Sequence, residues 1–347
     1  MRFSSGLVVG KFCPLHRGHE LVIRRALAEC ERVFVLSWSK PEHRGCEPER
    51  RSRWLERLFP QTTRLVLTEQ RLAELDPPPE FATLPENDAD PPVQRRFCGF
   101  ICERAWQVRV QAVFGSEHYL ETFAHELTRC FRRSVPAHPG VTAVVVDPER
   151  GNVPISGTLL RSDVHAHRRF LSPEVYADFV QRIALLGGES TGKSSLAATL
   201  AREYATLHVP EFGRELWEQR AGQLVFEDMV QIAKEQIARE QAAAAGASRW
   251  LFCDTSPLTT LFYSLDLFGR AAPELEQLAA RSYDLVALCA PDFEFVQDGT
   301  RRDPAFRDRQ DRWYREELLL RGVPFVMLGG TPEDRVATLV RVLRDRE

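Results

Sequence analysis

Two kinds of apolar spacing alternate along the 347-residue chain. Short unbroken runs, Leu7-Val8-Val9, Val33 to Leu36, Leu65 to Leu67, Val113-Phe114 and Val144 to Val146, read as buried strands. Between them, the stretches around 19–29, 50–59, 94–108 and 118–131 carry amphipathic helical patterning. That alternation predicts α/β architecture, a parallel sheet with helices on its faces. The segment from Asp76-Pro77-Pro78-Pro79 to Pro91-Pro92 breaks the rhythm and predicts an irregular, acidic excursion, either a plain surface loop or a cover over a site. A second α/β rhythm starts after Pro173, with strand-like runs at Ile183 to Leu186, Trp250 to Cys253, Leu285 to Leu288 and Pro324 to Leu328. The chain is therefore expected to form two domains, 1–168 and 169–347, with the boundary zone between about 165 and 181 and a short helix after Ser172-Pro173.

Composition narrows the partners. A net charge of -3 gives no basic excess, so duplex nucleic acid is not the expected partner. No apolar run approaches the ~20 residues that cross a bilayer, so no membrane partner is expected. Eight cysteines are scattered and no secretory leader precedes Gly6, which together predict a cytoplasmic setting with structural thiols. Cys98 and Cys102 lack a second pair that would complete a metal set. Lysine occurs only at positions 11, 40, 193 and 234, and two of these lie inside glycine-containing loops with phosphate-binding character.

The first such loop is Gly10-Lys11-Phe12-Cys13-Pro14-Leu15-His16-Arg17-Gly18-His19, between a strand and a helix. Gly10 lets backbone approach a ligand, Pro14 stiffens the turn and Gly18 allows close packing where the helix begins. His16 and His19 can present two imidazoles to one phosphate at a helix N-terminus. Ser156 and Thr158 in Ile155-Ser156-Gly157-Thr158-Leu159-Leu160-Arg161 add a helix cap and hydroxyl donors, and Arg161 adds a planar multidentate donor. These groups suit an α-phosphate under attack with pyrophosphate leaving, which is nucleotidyl transfer without a covalent intermediate.

The second loop, Gly187-Gly188-Glu189-Ser190-Thr191-Gly192-Lys193-Ser194, is a full Walker A pattern between the strand at 183–186 and an Ala/Leu-rich helix. Residues 187–195, with Ser195 closing the first helical turn, are expected to hold ATP: backbone N–H groups form an anion nest and Lys193 reaches the β- and γ-phosphates. Ser194 and Asp254, the latter ending the run at 250–253, are expected to hold Mg²⁺. Glu211 is a candidate base or anchor for a substrate hydroxyl. Arg301 and Arg302, in Asp298-Gly299-Thr300-Arg301-Arg302-Asp303, are candidate lid arginines for the transferring phosphoryl group.

Taken together, Gly-Lys-Phe-x-Pro-x-His-x-Gly-His and Ile-Ser-x-Thr-x-x-Arg resemble the nucleotidyltransferase superfamily, specifically NadR-type nicotinamide mononucleotide (NMN) adenylyltransferases. The resemblance implies transfer of adenylate from ATP to NMN, giving NAD and pyrophosphate with Mg²⁺. It places Lys11, His16, His19, Ser156, Thr158 and Arg161 in the phosphate-binding set, Gly10, Phe12 and Gly18 in the same ATP loop, and Ser116 of Phe114-Gly115-Ser116-Glu117 beneath the adenosine. Trp38 and Trp106 are the candidates for stacking on the acceptor base, since the 76–92 excursion replaces the family's Trp-rich middle segment. Glu211-Phe212-Gly213-Arg214-Glu215, Asp254-Thr255-Ser256-Pro257-Leu258-Thr259-Thr260 and Asp298-Gly299-Thr300-Arg301 are similar to the ribosylnicotinamide kinase half of the same family. That half implies phosphorylation of nicotinamide riboside to NMN, with Arg214 near the acceptor; Ser256 departs from a frequent Asp. Some family members begin with a helix-turn-helix, but a first strand starting by about Gly6 leaves no room for one here, so direct DNA binding is not expected.

Two other readings compete. A fused phosphopantetheine adenylyltransferase and dephospho-coenzyme A kinase has the same domain order, but its first loop prefers a Gly-Thr-Phe-Asp-Pro-x-Thr form. A nucleotide-sensing regulator without turnover fits less well with intact Lys193, Ser194 and Asp254. A homo-oligomer is compatible with either.

Overall fold

The computed structural model describes residues 1–292, 294–295 and 302–346. It divides into two compact units, Met1–Asp178 and Phe179–Glu347. Among the described residues no helix is long and apolar enough to cross a membrane.

The first unit runs β1 (Phe3–Val9), α1 (Arg17–Glu29), β2 (Cys30–Ser37), α2 (Pro48–Leu58), β3 (Thr63–Val66), α3 (Glu69–Ala73), α4 (Pro91–Ala105), β4 (Ala112–Gly115), α5 (Leu120–Ser134), β5 (Thr142–Val145), α6 (Gly157–Ser162) and α7 (Pro173–Tyr176). The strands are parallel in the order β3-β2-β1-β4-β5. Helices cover the sheet, so β1 is buried without alternation from Ser5 to Val8. Leu7, Phe34 and Leu36 pack against Phe97 and Ile101 of α4 and Leu127 and Phe131 of α5. Cys98 and Cys102 lie in this core too, and burial raises both thiols above their ordinary range. The chain leaves the central strand β1 toward β2 and later returns beside it as β4, which makes the C-terminal end of β1 a switch point where ligands find a crevice.

The second unit runs β6 (Gln181–Gly187), α8 (Lys193–Glu203), β7 (Leu207–Val209), α9 (Phe212–Gln219), α10 (Phe226–Ala244), β8 (Trp250–Asp254), α11 (Pro257–Phe268), α12 (Pro273–Ala279), β9 (Leu285–Cys289), α13 (Pro304–Leu320), β10 (Phe325–Leu328) and α14 (Pro332–Arg344). Its parallel order is β10-β9-β6-β8-β7. The two-residue period of β6 serves two cores at once. Ile183 and Leu185 pack with Leu196, Leu200, Leu339 and Leu343 on one face, while Ala184 and Leu186 pack with Met229, Ile232, Tyr314 and Leu318 on the other.

The compact units part ten residues beyond the boundary expected at 168/169. The reason is a polar anchor on α2. Asp178 accepts from Trp54 Nε1 and Arg53, each at 2.7 Å, and its carbonyl accepts from Arg50 at 3.0 Å. Residues 169–178, including the short helix expected after Ser172-Pro173, therefore pack with the first unit.

The 76–92 excursion is also more ordered than an irregular loop. Phe81 and Leu84 are buried in the core, a single 3₁₀ turn spans Pro79–Phe81, and the prolines at 91 and 92 open α4, where a missing N–H costs nothing.

Two candidate nucleotide sites

The strand-loop-helix of residues 9–19 lies at the C-terminal end of β1. His16 is the N-cap of α1: its Nδ1 accepts from Gly18 N–H at 3.2 Å and His19 N–H at 3.4 Å. The Nδ1 of His19 in turn accepts from His16 N–H at 3.4 Å, and the rings stack with centroids 3.7 Å apart. With both Nδ1 atoms assigned as acceptors, the neutral tautomers carry their proton on Nε2, so each ring keeps one donor. Burial, helped by Arg150, pushes His16 down to about 4. Burial, then His16 and Arg150, holds His19 well below its ordinary value. At neutral pH the pair is uncharged and offers hydrogen bonds rather than ionic attraction.

Several neighbours converge on the same loop. Arg161 donates to the Cys13 carbonyl at 2.7 Å and to Thr158 Oγ1 at 3.1 Å, tying α6 to the loop. A Cβ on Gly157 would stand 3.0 Å from that guanidinium, so glycine permits the approach. Ser156 caps α6 by accepting from Leu159 N–H at 3.2 Å. Lys11 donates to the Asn87 carbonyl at 3.2 Å, and burial together with Arg161 lowers its pKa. The Lys11 carbonyl accepts from Ser37 Oγ at 3.1 Å and from the fully buried Arg51 at 3.3 Å. Phe12 is buried with its ring edge against His19 at 5.0 Å and against Gly10, so it supports the imidazole from behind. Ser116, half-buried just past β4, precedes Glu117, which pairs with Arg150 at 3.2 Å.

The two tryptophans fare differently. Trp38 lies at the C-terminal end of β2, but it is buried: Nε1 donates to the Pro85 carbonyl at 3.1 Å and the ring meets Phe97 at 5.3 Å. Trp106 is not brought to the loop. It caps α4 before the chain starts β4, at the opposite end of the strands from the loop, and packs on Phe34 at 5.1 Å. Arg51, Asn87 and Arg150 were not singled out in the sequence. Arg51 carried a signal, because it shares a helical face with buried Trp54 and Leu55.

In the second unit, the Walker loop crosses from β6 to α8. Gly187 has φ +142° and a Cβ there would meet the Cys289 carbonyl at 2.7 Å; Ser190 and Gly192 are left-handed, at +57° and +78°. The loop's shape is held by residues far away in sequence. The buried Arg335 donates to the carbonyls of Thr191 (2.8 Å), Ala290 (2.9 Å) and Gly330 (3.2 Å) and pairs with Asp292. Gln310 accepts from Glu189 N–H at 2.8 Å, and Thr191 Oγ1 donates to the Gly188 carbonyl at 2.8 Å. Lys193 lies along the loop, donating to the carbonyls of Gly187 at 3.0 Å and Gly188 at 2.9 Å. Ser194 and Ser195 are exposed in the first turn of α8.

A cavity of about 490 Å³ opens beside the loop, lined among others by Lys193, Glu189, Glu211, Arg214, Trp217 and Arg302. That volume lies in the range of small-ligand sites. Asp254 ends β8, buried, with its Oδ1 in no hydrogen bond among the described residues. A buried carboxylate oxygen without a donor fits a divalent cation. Glu211, the N-cap of α9, has its pKa raised to about 7 by burial first and then by Asp254, against the pull of Lys193 and Arg214. Glu189 is held by Tyr263 Oη at 2.9 Å and the Arg302 backbone N–H at 2.8 Å, while the Arg302 guanidinium reaches Asp266 at 2.5 Å. Ser256 caps α11 by accepting from Leu258 N–H at 3.2 Å. Arg301 lies outside the described residues.

Fold and loops define an α/β protein of two parts, a Rossmann-like domain followed by a P-loop domain, each with a parallel sheet. A family model described as an AAA domain matches residues 182–335, across the Walker loop. Over most of its length the chain is a homologue of the NadR proteins. It is 27% identical over 328 residues to the trifunctional NAD biosynthesis/regulator protein NadR of Salmonella typhimurium, covering 88% of this chain and 74% of that one. It is likewise 27% identical over 325 residues to the NadR protein of Escherichia coli K12, covering 89% and 74%. The fold superposes on a crystal structure of a NadR protein in complex with NAD and AMP-PNP, with TM-score 0.67, 19% identity and coverage of 94% and 91%. A second, in complex with NR, gives TM-score 0.68, 19% identity and coverage of 98% and 95%.

Proposed function

We propose that the chain performs two successive steps of NAD synthesis: its second unit phosphorylates nicotinamide riboside with ATP, and its first unit transfers adenylate from ATP to the resulting NMN, releasing pyrophosphate. The observation that carries this reading is the pairing, in one homologue of NadR, of a His16–His19–Arg161 cluster with a Walker loop that faces Glu211 across one cavity, where Asp254 is near enough to Glu211 to raise its pKa.

In the first unit the Nε2–H groups of His16 and His19 donate to phosphate oxygens, and Lys11 and Arg161 balance charge as pyrophosphate leaves. Because both imidazoles stay neutral, they orient the phosphate and stabilise its charge without exchanging a proton. Acceleration comes from holding the NMN phosphate in line with the α-phosphorus. In the second unit Lys193 swings from the loop carbonyls to the β- and γ-phosphates, and Glu211 accepts the proton of the riboside 5′-hydroxyl; a pKa near 7 suits a base at neutral pH. A Mg²⁺ held by Ser194 and Asp254 would neutralise charge on the triphosphate.

The test is separable loss. The full chain is incubated with ATP, Mg²⁺ and either nicotinamide riboside or NMN, and NMN, NAD, ADP and pyrophosphate are resolved by chromatography. Lys193→Ala should abolish ADP formation and spare NAD made from supplied NMN, and His19→Ala should do the reverse. Loss of both activities in either folded variant would refute the two-site reading.

A further inference from the structure

Arg150 lies in the turn between β5 and α6 and has φ +53°. A left-handed backbone is easy for glycine or asparagine and strained for arginine, which directs attention to what this side chain does. The turn is fixed from within. The Asp147 carboxylate accepts from the backbone N–H groups of Asn152 and Val153, each at 3.1 Å, and the Asp147 carbonyl accepts from Arg150 N–H at 2.9 Å.

That shape delivers the guanidinium to the seam between segments that build the first site. It donates to the Ile155 carbonyl, next to the α6 cap Ser156, at 3.1 Å, and to Glu117, one past Ser116, at 3.2 Å. Val153 of the same turn would stand 3.9 Å from a Cβ on Gly18, in the first turn of α1. The charge of Arg150 reaches both His16 and His19, whose pKa values it helps to lower. Arg150 thus flanks the imidazole pair from the β4–β5 side, whereas Asn87 and Arg51 meet the loop from the β2 side.

Two of its five N–H donors are used, and the other three are left on a side chain 40% exposed. Glu117, the carboxylate that holds it, is 48% exposed, and an ion pair open to water on both sides is weak enough to yield to a more highly charged phosphate. Lys11 and Arg161 are each drawn on by protein carbonyls, and the imidazoles are neutral at pH 7. A triphosphate at this loop therefore brings more negative charge than those groups balance, and Arg150 is the accessible cation beside it.

We infer that Arg150 is a further phosphate-contacting residue of the first site, turning from Glu117 to the ATP phosphates that leave as pyrophosphate and offering them a two-pronged donor. The assignment rests on the adenylyl-transfer reading of that site.

The experiment follows the full chain in both directions, ATP and NMN to NAD, and NAD and pyrophosphate back to ATP and NMN, because the reverse direction reads pyrophosphate at the first site alone. Wild type is compared with Arg150→Asn, which suits a left-handed backbone but carries no charge, and with Arg150→Lys, which keeps the charge without the fork. Arg150→Asn should raise KM for ATP and for pyrophosphate about tenfold or more, leave KM for NMN and NAD within about twofold, and keep Tm at or above wild type. Arg150→Lys should recover part of the loss. Constants for ATP and pyrophosphate within about twofold of wild type in Arg150→Asn overturn the assignment. So does an equal rise for NMN with a lower Tm, which would make Arg150 a prop for the turn. A wild type that forms no NAD defeats the adenylyl-transfer reading instead, and Arg150 is then read by calorimetric binding of pyrophosphate to the Lys193→Ala chain. There Arg150→Asn should still weaken binding about tenfold, and unchanged binding overturns the assignment.

Discussion

Replacing Glu211 by Gln should stabilise the protein while disabling phosphoryl transfer. The folded site holds the Glu211 proton until about pH 7, against an ordinary value of 4.5, because burial and the neighbouring Asp254 both disfavour the anion. An unfolded chain ionises the same carboxyl at its ordinary value, so the favourable contribution is complete below pH 4.5 and is lost as pH rises through 7. At about 1.4 kcal/mol per pH unit, the loss is roughly 1 kcal/mol at pH 5 and roughly 3 kcal/mol at pH 8. Glutamine keeps the shape and never ionises. Calorimetric unfolding of the full chain without nucleotide should therefore show Glu211→Gln close to wild type at pH 5 and higher in Tm at pH 8, by roughly 6–12 °C for a unit of this size. In the same variant phosphorylation of the riboside should fall about 10²-fold or more. A Tm difference that does not grow with pH, or a destabilised variant at pH 8, would refute the account of this carboxyl as buried beside like charge.

Three further outcomes follow from the geometry. His16 titrates in reverse sense: its folded pKa of about 4 lies below the ordinary 6.5, so its contribution is complete above pH 6.5 and is lost as pH falls toward 4. His16→Gln should remove roughly 2 kcal/mol of the wild type's acid sensitivity at pH 5, read by chemical unfolding at pH 5 and 7, and a variant as acid-sensitive as wild type would contradict this. Arg335→Met should cost roughly 3 kcal/mol or more, since three carbonyls and Asp292 lose their donor, and should weaken ATP binding to the second unit while NAD formation from supplied NMN persists. Gly157→Ala puts a methyl 3.0 Å from Arg161 and should lower adenylyl transfer about tenfold with little change in Tm; unchanged kinetics would separate Arg161 from the reaction.

The parallel α/β architecture and both phosphate loops were legible because each leaves a local trace: apolar period, glycine placement and a cation at fixed spacing. His16, His19 and Arg161 could be paired from sequence since a helix start and a capped short helix are local features too. What escaped was contact between distant segments. Arg51, Gln310 and Arg335 read as ordinary polar residues on helices, and only the fold shows them buried as donors or acceptors to the loops. Trp38 and Trp106 illustrate the same limit, for nothing in the spacing distinguishes a tryptophan on a pocket wall from one in a core. Within the expected boundary zone of 165–181, the split at 178/179 could not be fixed from sequence, because Asp178, an unremarkable acidic residue there, bonds to Trp54 across 124 positions.

The bonds from Gln310 and Arg335 to the Walker loop span 121 and 144 positions. A nascent chain that has just left the ribosome as far as α8 owns the glycine-rich sequence but not the shape that grips a triphosphate, because the clasp arrives only when α13 and α14 have been made and docked. ATP in the cell thus cannot chaperone the early stages of this half; it can reward only a finished fold, and shortened products ending before Arg335 should be left without that protection from proteolysis.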